Sequence, residues 1–311
     1  MADQRLTVGG SGALALYVSQ DWAKPLPAVT RAVITIHGVL RNADVYKKSA
    51  EQALAASGLD PASVLLIEPQ FLDAADAKAH DLPAETLRWS HTGWEGGEAA
   101  LAPAPVSSYA ALDAILAKLA DRRLFPALTQ VVVAGHSGGG QVVQRYAVAT
   151  QGEAVLQQQG VKLRYVVANP SSYAYFSAER PAGDGFAPFD GASCPEFDQW
   201  KYGMAARPPY LAAPTPAQLE ASYAARQVIY LLGTADTDPN HPALDKSCMA
   251  EAEGPYRYAR GLAYFRYLQG RHKTGLAHRV LQVPGVGHDG EKMLTSACGL
   301  AALYDRPGCS G

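Results

Sequence analysis

A run of mostly β-branched apolar residues, Gln130-Val131-Val132-Val133-Ala134, leads directly into Gly135-His136-Ser137-Gly138-Gly139-Gly140-Gln141. This stretch constrains the chain more than any other. The apolar run reads as a strand buried on both faces. The residues that follow, Gly138–Thr150, read as a helix. A strand that turns into a helix so abruptly forces the residue at the turn into a strained backbone conformation. Small residues two positions before and two after it then avoid clashes. Gly135 and Gly139 occupy those positions. Ser137 is thereby presented at a helix N-terminus with its hydroxyl exposed. The Gly138 amide, helped by the helix dipole, is aimed at negative charge developing beside the serine. A bare Gly-x-Ser-x-Gly recurs by chance, but this strand–turn–helix setting marks Ser137 as a nucleophile.

The rest of the chain alternates in the same way. Strands are expected at Arg5–Val8, Leu14–Ser19, Ala32–His37, Ser63–Ile67, Gln130–Gly135, Leu163–Ala168, Gln227–Leu232 and Arg279–Val283. Helices are expected at Ala43–Ala56, Val106–Leu119, Gly138–Thr150, Pro255–Gln269 and Met293–Leu303. Strand–helix alternation predicts an α/β fold whose central sheet is mostly parallel and flanked by helices. The first two strands, joined by Gly9-Gly10-Ser11-Gly12, read as an antiparallel hairpin at its edge. No repeat or linker interrupts residues 1–311, so one domain is expected. Two loop-rich excursions, at about 69–105 and 170–216, break the rhythm. Their aromatic content argues against disorder, and a partial cap is the expected role.

Composition narrows the function. With 27 Lys+Arg against 29 Asp+Glu, there is no basic footprint for nucleic acid. No apolar run approaches the length of a membrane span. Sixteen Tyr against seven Phe suggests many half-wet aromatic sites.

A serine nucleophile needs a base and a group to orient that base. From about residue 30 to 300 the chain resembles the α/β-hydrolase family, whose members order nucleophile, acid and histidine along the sequence. The resemblance implies an acid after the strand beyond the nucleophile unit. Gln227-Val228-Ile229-Tyr230-Leu231-Leu232-Gly233-Thr234-Ala235-Asp236 supplies it, with Asp238 two residues on as the rival, otherwise a turn residue before Pro239. It also implies a histidine in the loop after the last strand, where Val283-Pro284-Gly285-Val286-Gly287-His288 supplies His288. Asp289 reads as a surface or turn residue. The expected catalytic set is Ser137, Asp236 and His288.

The resemblance further implies that the residue after a strand-ending His-Gly gives a second oxyanion amide. Here Ile36-His37-Gly38-Val39 makes that residue Val39, to act with Gly138. Leu40-Arg41-Asn42 follows, where lipase-type members carry a glycine run. His37 is expected to brace this loop, and His136 to pack beneath the nucleophile turn. Secreted bacterial members are the nearest in character. The implied reaction is hydrolysis of a carboxylic ester through an acyl-enzyme, with no metal or organic cofactor. A peptidase or amidase on the same fold is the alternative, and a non-catalytic binding protein a more distant one. Dehalogenases and epoxide hydrolases of this fold carry Asp where Ser137 stands.

Tyr173, after the strand ending near Ala168, and Trp89 and Trp94 are the expected pocket walls. Tyr and Trp walls suit a water-soluble ester, aromatic or polymer-derived. Two further patterns fail. Gly285-Val286-Gly287-His288-Asp289-Gly290 matches a dinucleotide fingerprint but leaves too little chain for the second strand and acid it requires. Asp236-Thr237-Asp238 opens like a calcium loop, yet His241 replaces the required Gly and Ser247 the required Glu.

The four cysteines, Cys194, Cys248, Cys298 and Cys309, form no C-x-x-C pair. Disulfides 194–248 and 298–309 are favoured over four buried thiols. Met1-Ala2-Asp3-Gln4 lacks the basic and apolar regions of a signal peptide and suits a mature N-terminus behind an added Met. A secreted or periplasmic protein is expected.

Overall fold

The computed structural model describes residues 1–10 and 12–309. Ser11, in the expected hairpin turn, lies outside the described residues. The strands are β1 (Gln4–Val8), β2 (Gly12–Val18), β3 (Arg31–Ile36), β4 (Val64–Gln70), β5 (Gln130–His136), β6 (Lys162–Ala168), β7 (Glu179–Ala182), β8 (Gly185–Pro188), β9 (Gln227–Gly233) and β10 (His278–Val283). Eight of them form one sheet in the order β1-β2-β4-β3-β5-β6-β9-β10. β2 pairs antiparallel with both neighbours, and every pairing from β4 to β10 is parallel. Each of the eight expected strands is present, with ends shifted by a few residues. Hairpin β7–β8 stands apart inside the second excursion.

Period-two alternation divides the apolar side chains between two cores. Ile34, Val131, Val133, Val167, Tyr230 and Leu232 face one way. Helices Ser108–Leu119, Gly138–Ala149, Pro216–Ala225 and Arg257–Arg271 cover that face with Leu112, Val142, Tyr223 and Tyr264. Val33, Leu66, Val132, Val166, Ile229 and Leu281 face the other way, under Ala53, Leu54, Met293 and Leu303. These come from helices Ala43–Ser57, Gly290–Thr295 and Ala297–Tyr304. Each fully buried Val, Leu or Ile contributes about 1.5–3 kcal/mol, so both faces stabilise the sheet and neither is left for solvent.

Two helical expectations change. The single helix at Met293–Leu303 is two, because Ser296 is extended (φ −62°, ψ 160°) and its hydroxyl accepts from the Gly299 N–H at 2.9 Å, capping the second. Pro216–Ala225 is an additional helix. Its start is a capping box: Thr215 accepts from the Gln218 N–H while the Gln218 side chain accepts from the Thr215 N–H, with Pro at the first turn.

The tyrosines depart from the half-wet reading. Tyr109, Tyr146, Tyr165, Tyr173, Tyr175, Tyr223, Tyr230 and Tyr264 are fully buried. Several find hydroxyl partners inside: Tyr223 with Tyr230 at 2.7 Å, Tyr146 to Asp113 at 2.7 Å, and Tyr264 to the Ala174 carbonyl at 2.9 Å. An internal partner removes most of the penalty for burying a phenol.

Both excursions are ordered and fold down on the flank of the sheet. Trp89 and Trp94 anchor the first, bracketing Phe71 with ring centroids 5.2 and 5.5 Å away. Arg180 anchors the second, donating to the Ser177, Glu179 and Phe197 carbonyls. Disulfide Cys194–Cys248 ties it to the segment after β9, and Cys298–Cys309 closes the C-terminal turn. Among the described residues, no helix is long and apolar enough to cross a membrane.

Candidate active site

After β3 the chain moves through helix Ala43–Ser57 to β4 on one side; after β5 it moves through helix Gly138–Ala149 to β6 on the other. The neighbouring carboxyl ends of β3 and β5 therefore diverge, which opens a crevice at that point of a parallel sheet. Ser137 stands at its floor with φ 60° and ψ −122°, a conformation that L side chains adopt only under constraint. The flanking glycines supply the constraint. A Cβ on Gly135 would lie 2.3 Å from the Gly139 carbonyl oxygen, and a Cβ on Gly139 would lie 2.1 Å from that of Ile36. No side chain fits at either place.

The structure brings Ser137, His288 and Asp236 into one line. Ser137 Oγ is 2.9 Å from His288 Nε2, and His288 Nδ1 is 2.8 Å from Asp236 Oδ2. Asp236 ends the turn after β9 and is buried; His288 lies in the loop after β10. In this geometry the Nδ1–H donates to Asp236, leaving Nε2 to accept the serine proton. Burial holds the His288 imidazole below its ordinary pKa, assisted by nearby Arg257 and His241, while Asp236 opposes the shift. Asp238 is exposed and its carboxylate accepts from the Asn240 N–H at 2.8 Å, so it is a turn residue. Asp289 caps helix Gly290–Thr295.

The two expected oxyanion amides are adjacent. A Cβ on Gly138 would stand 3.0 Å from the Val39 nitrogen. Neither amide donates to an acceptor among the described residues. His37 braces the Val39 loop from beneath. Fully buried, its Nδ1–H donates to the Gly38 carbonyl at 2.9 Å and its Nε2 accepts from the Phe71 N–H at 2.9 Å. Burial lowers its pKa to about 4. His136 packs against His288 at a tilt of 35°, ring centroids 4.5 Å apart, with Nδ1 3.2 Å from the Tyr46 hydroxyl. Burial first, then His288 and Arg257, push its pKa well down. It stays neutral and does not compete for the proton.

The cleft over Ser137 has a volume of about 510 Å³. Val39, Leu40, Val45, Tyr46, His241 and Ala243 line it beside the residues above, together with Glu291 from the following helix. Tyr173, Trp89 and Trp94 do not. All three are buried in the core: Tyr173 stacks on Tyr264 at 4.6 Å, and the tryptophans donate to the Val106 and His91 carbonyls. The expected aromatic walls are thus corrected to a mixed lining, in which Val39, Leu40, Val45 and Ala243 supply the aliphatic part. No residue of either excursion lines the cleft, which is left open where a partial cap was expected.

Sequence reasoning missed two neighbours of the line. His241 sets its ring edge against His288 at 5.0 Å. Arg257 is fully buried at the start of its helix, with Nη1 3.4 Å from Asp236 Oδ1. Neither belongs to a motif; Asp236 and Arg257 meet only because a loop of some twenty residues returns the chain to the end of β9.

Sheet order, the flanking helices and the strained serine after β5 define the α/β-hydrolase fold. Solved structures carry the same architecture. LpqC, a poly(3-hydroxybutyrate) depolymerase from Bordetella parapertussis, superposes with a TM-score of 0.64 over 98% of this chain and 90% of its own, at 21% identity. Poly(aspartic acid) hydrolase-1 from Sphingomonas sp. KT-1 gives 0.64 over 93% and 94%, at 22% identity. At such identity the likeness is one of fold. No family model and no curated protein sequence matches the chain.

Proposed function

We propose that this protein is a serine hydrolase that cleaves carboxylic esters through an acyl-enzyme. The observation that carries the reading is the unbroken line Asp236–His288–Ser137, with bonds of 2.8 and 2.9 Å, beside two unengaged amides. Ser137 Oγ attacks the ester carbonyl carbon while His288 Nε2 takes its proton. The carbonyl oxygen becomes an oxyanion held by the Gly138 and Val39 N–H groups, each such donor being worth about 3 kcal/mol of barrier. Asp236 keeps the imidazole in its tautomer and stabilises its charge. His288 then returns the proton to the departing alcohol. Water repeats the sequence to release the acid and restore the serine.

The substrate reading follows the cleft. Leu40 and Val45 are two of the few large apolar side chains exposed on this protein, and both sit on its rim. An open cleft with an aliphatic rim suits a short aliphatic or polymer-derived ester that extends past the scissile bond. The names of the two structural neighbours, a polyester depolymerase and a poly(aspartic acid) hydrolase, agree with a polymer-derived substrate. Two disulfides support a secreted or periplasmic setting.

The test is a rate series on p-nitrophenyl acetate, butyrate and octanoate, 3-hydroxybutyrate oligomers and a matched p-nitroanilide. Turnover of the esters with the anilide slower by orders of magnitude is expected. Anilide cleavage at comparable rates would move the protein to the amidases.

A further inference from the structure

The structure assigns Arg257 as a positioning residue for the acid of the Ser137 site, a role that rests on the hydrolase reading above. Three contacts carry the assignment. Arg257 Nη1 donates to Asp236 Oδ1 at 3.4 Å, the oxygen that His288 leaves free. Its Nε donates to Ser171 Oγ at 3.0 Å, on the segment that follows β6. Its Nη2 donates to the Ala243 carbonyl, in the cleft wall that also bears His241. One planar guanidinium thus fixes the acid, the loop after β6 and one wall of the cleft relative to one another. A fork of fixed N–H directions can do this, and an ammonium cannot.

Charge gives the arrangement its purpose. Both partners of the pair are almost fully buried, with 0% and 2% side-chain exposure. A carboxylate at that depth has lost its water, and the guanidinium supplies the charged partner that replaces it. With Arg257 opposite, the resting site holds one negative and one positive charge and a neutral His288. The same cation sits near the imidazolium that forms as Ser137 attacks, and opposes it. Arg257 therefore keeps the acid in register, and its charge opposes protonation of the base.

The charged and titratable groups facing this pair are few. His288 meets Asp236, Arg257, His241 and His136; Arg257 also feels Arg260 and Asp238. Removing the guanidinium leaves Asp236 dominant over His288. The acid limb of the rate profile should then move to higher pH.

The experiment compares wild type, Arg257→Gln and Arg257→Lys. It reads kcat and KM for p-nitrophenyl acetate from pH 5 to 9, together with the imidazole titration of His288 by NMR. For R257Q, an upward shift of roughly one pH unit is expected in both, the size a buried unit charge produces at a few ångströms, with lower kcat and an unchanged KM. R257K should keep the wild-type limb, since the charge remains, but lose plateau kcat because lysine cannot hold all three partners. Should R257Q not fold, Ser171→Ala, which frees the guanidinium at Nε but keeps its charge, takes its place: the wild-type limb with a lower plateau kcat is expected, and an unchanged kcat would overturn the positioning role. An R257Q protein that folds and titrates like wild type would overturn the assignment. The NMR titration reads His288 whether or not the protein turns over esters. Absence of turnover in wild type would count against the hydrolase reading, and an unmoved imidazole against Arg257.

Discussion

His288 Nε2 stands 2.9 Å from Ser137 Oγ although 151 residues separate them along the chain. β5 and β10 end on the same edge of a parallel sheet, and the loops that leave them meet there. The imidazole is held from the other side by Asp236 and sits between the rings of His136 and His241. It therefore has one orientation, and that orientation faces the serine. The consequences can be measured.

The base must be neutral to act. Burial lowers the His288 pKa from 6.5. Activity should be full above that value and fall as pH drops through the lowered pKa. A profile of kcat/KM against pH on p-nitrophenyl acetate should show an acid limb centred below 6.5. A limb centred at 7 or above would contradict the burial argument.

Gly138→Ala tests the proposed oxyanion amides separately from the Asp236–His288–Ser137 line. The new methyl would stand 2.9 Å from Val39 Cγ1 and 3.0 Å from the Val39 nitrogen, so the Val39 loop must retreat. Loss of one donor costs roughly 10²–10³-fold in kcat. A fall of that size in a variant that melts like wild type is expected; unchanged kcat would remove Val39 from the hole.

Buried histidines outside the line weaken the fold in acid, His37 and His278 among them. Burial lowers both His37 and His278 to about 4. Each pKa is depressed on folding, so the unfolded chain binds the extra proton. The stability they allow is present in full above 6.5 and is lost as pH falls from 6.5 towards 4, by up to about 3 kcal/mol each. Urea midpoints at pH 7 and 4.5 should differ markedly in wild type, and the gap should narrow in His278→Asn. Equal gaps in the two proteins would contradict it.

The Cys194–Cys248 bond closes a separation of 54 residues between the second excursion and the segment after β9. Cross-links over loops of that length stabilise by about 4 kcal/mol in the chain-entropy account. Replacing both cysteines by serine should lower the melting temperature by several degrees. Cys298–Cys309 spans only 11 residues, and its double serine variant should lose less. The reverse ranking in calorimetry would refute the comparison.

How much of this was legible beforehand follows from how local each signal is. The central strands, β5 above all, were readable because burial on both faces leaves continuous β-branched runs such as Val131–Val133. The serine turn was readable because Gly135 and Gly139, where no side chain fits, flank the serine at a fixed spacing in the sequence. Asp236 and His288 followed from the family resemblance, which implies an acid and a histidine after particular strands. The pocket walls were not legible. Whether Trp94 faces a cleft or stacks on Phe71 is decided by residues distant in sequence. Arg257 was hidden for the same reason, since its three partners come from two other loops, those after β6 and β9. The tyrosines misled because phenol content alone cannot tell a wet site from one whose partner is another buried tyrosine, as with Tyr223 and Tyr230.

The central claim is that Ser137 is an activated nucleophile, and intact-mass analysis after a fluorophosphonate probe tests it most directly. Wild type should gain one adduct, mapped to Ser137, and folded Ser137→Ala should gain none. The cleft is open, so the probe has access to the serine. A folded wild type that takes no adduct, or a Ser137→Ala protein that is labelled as readily, would contradict the account.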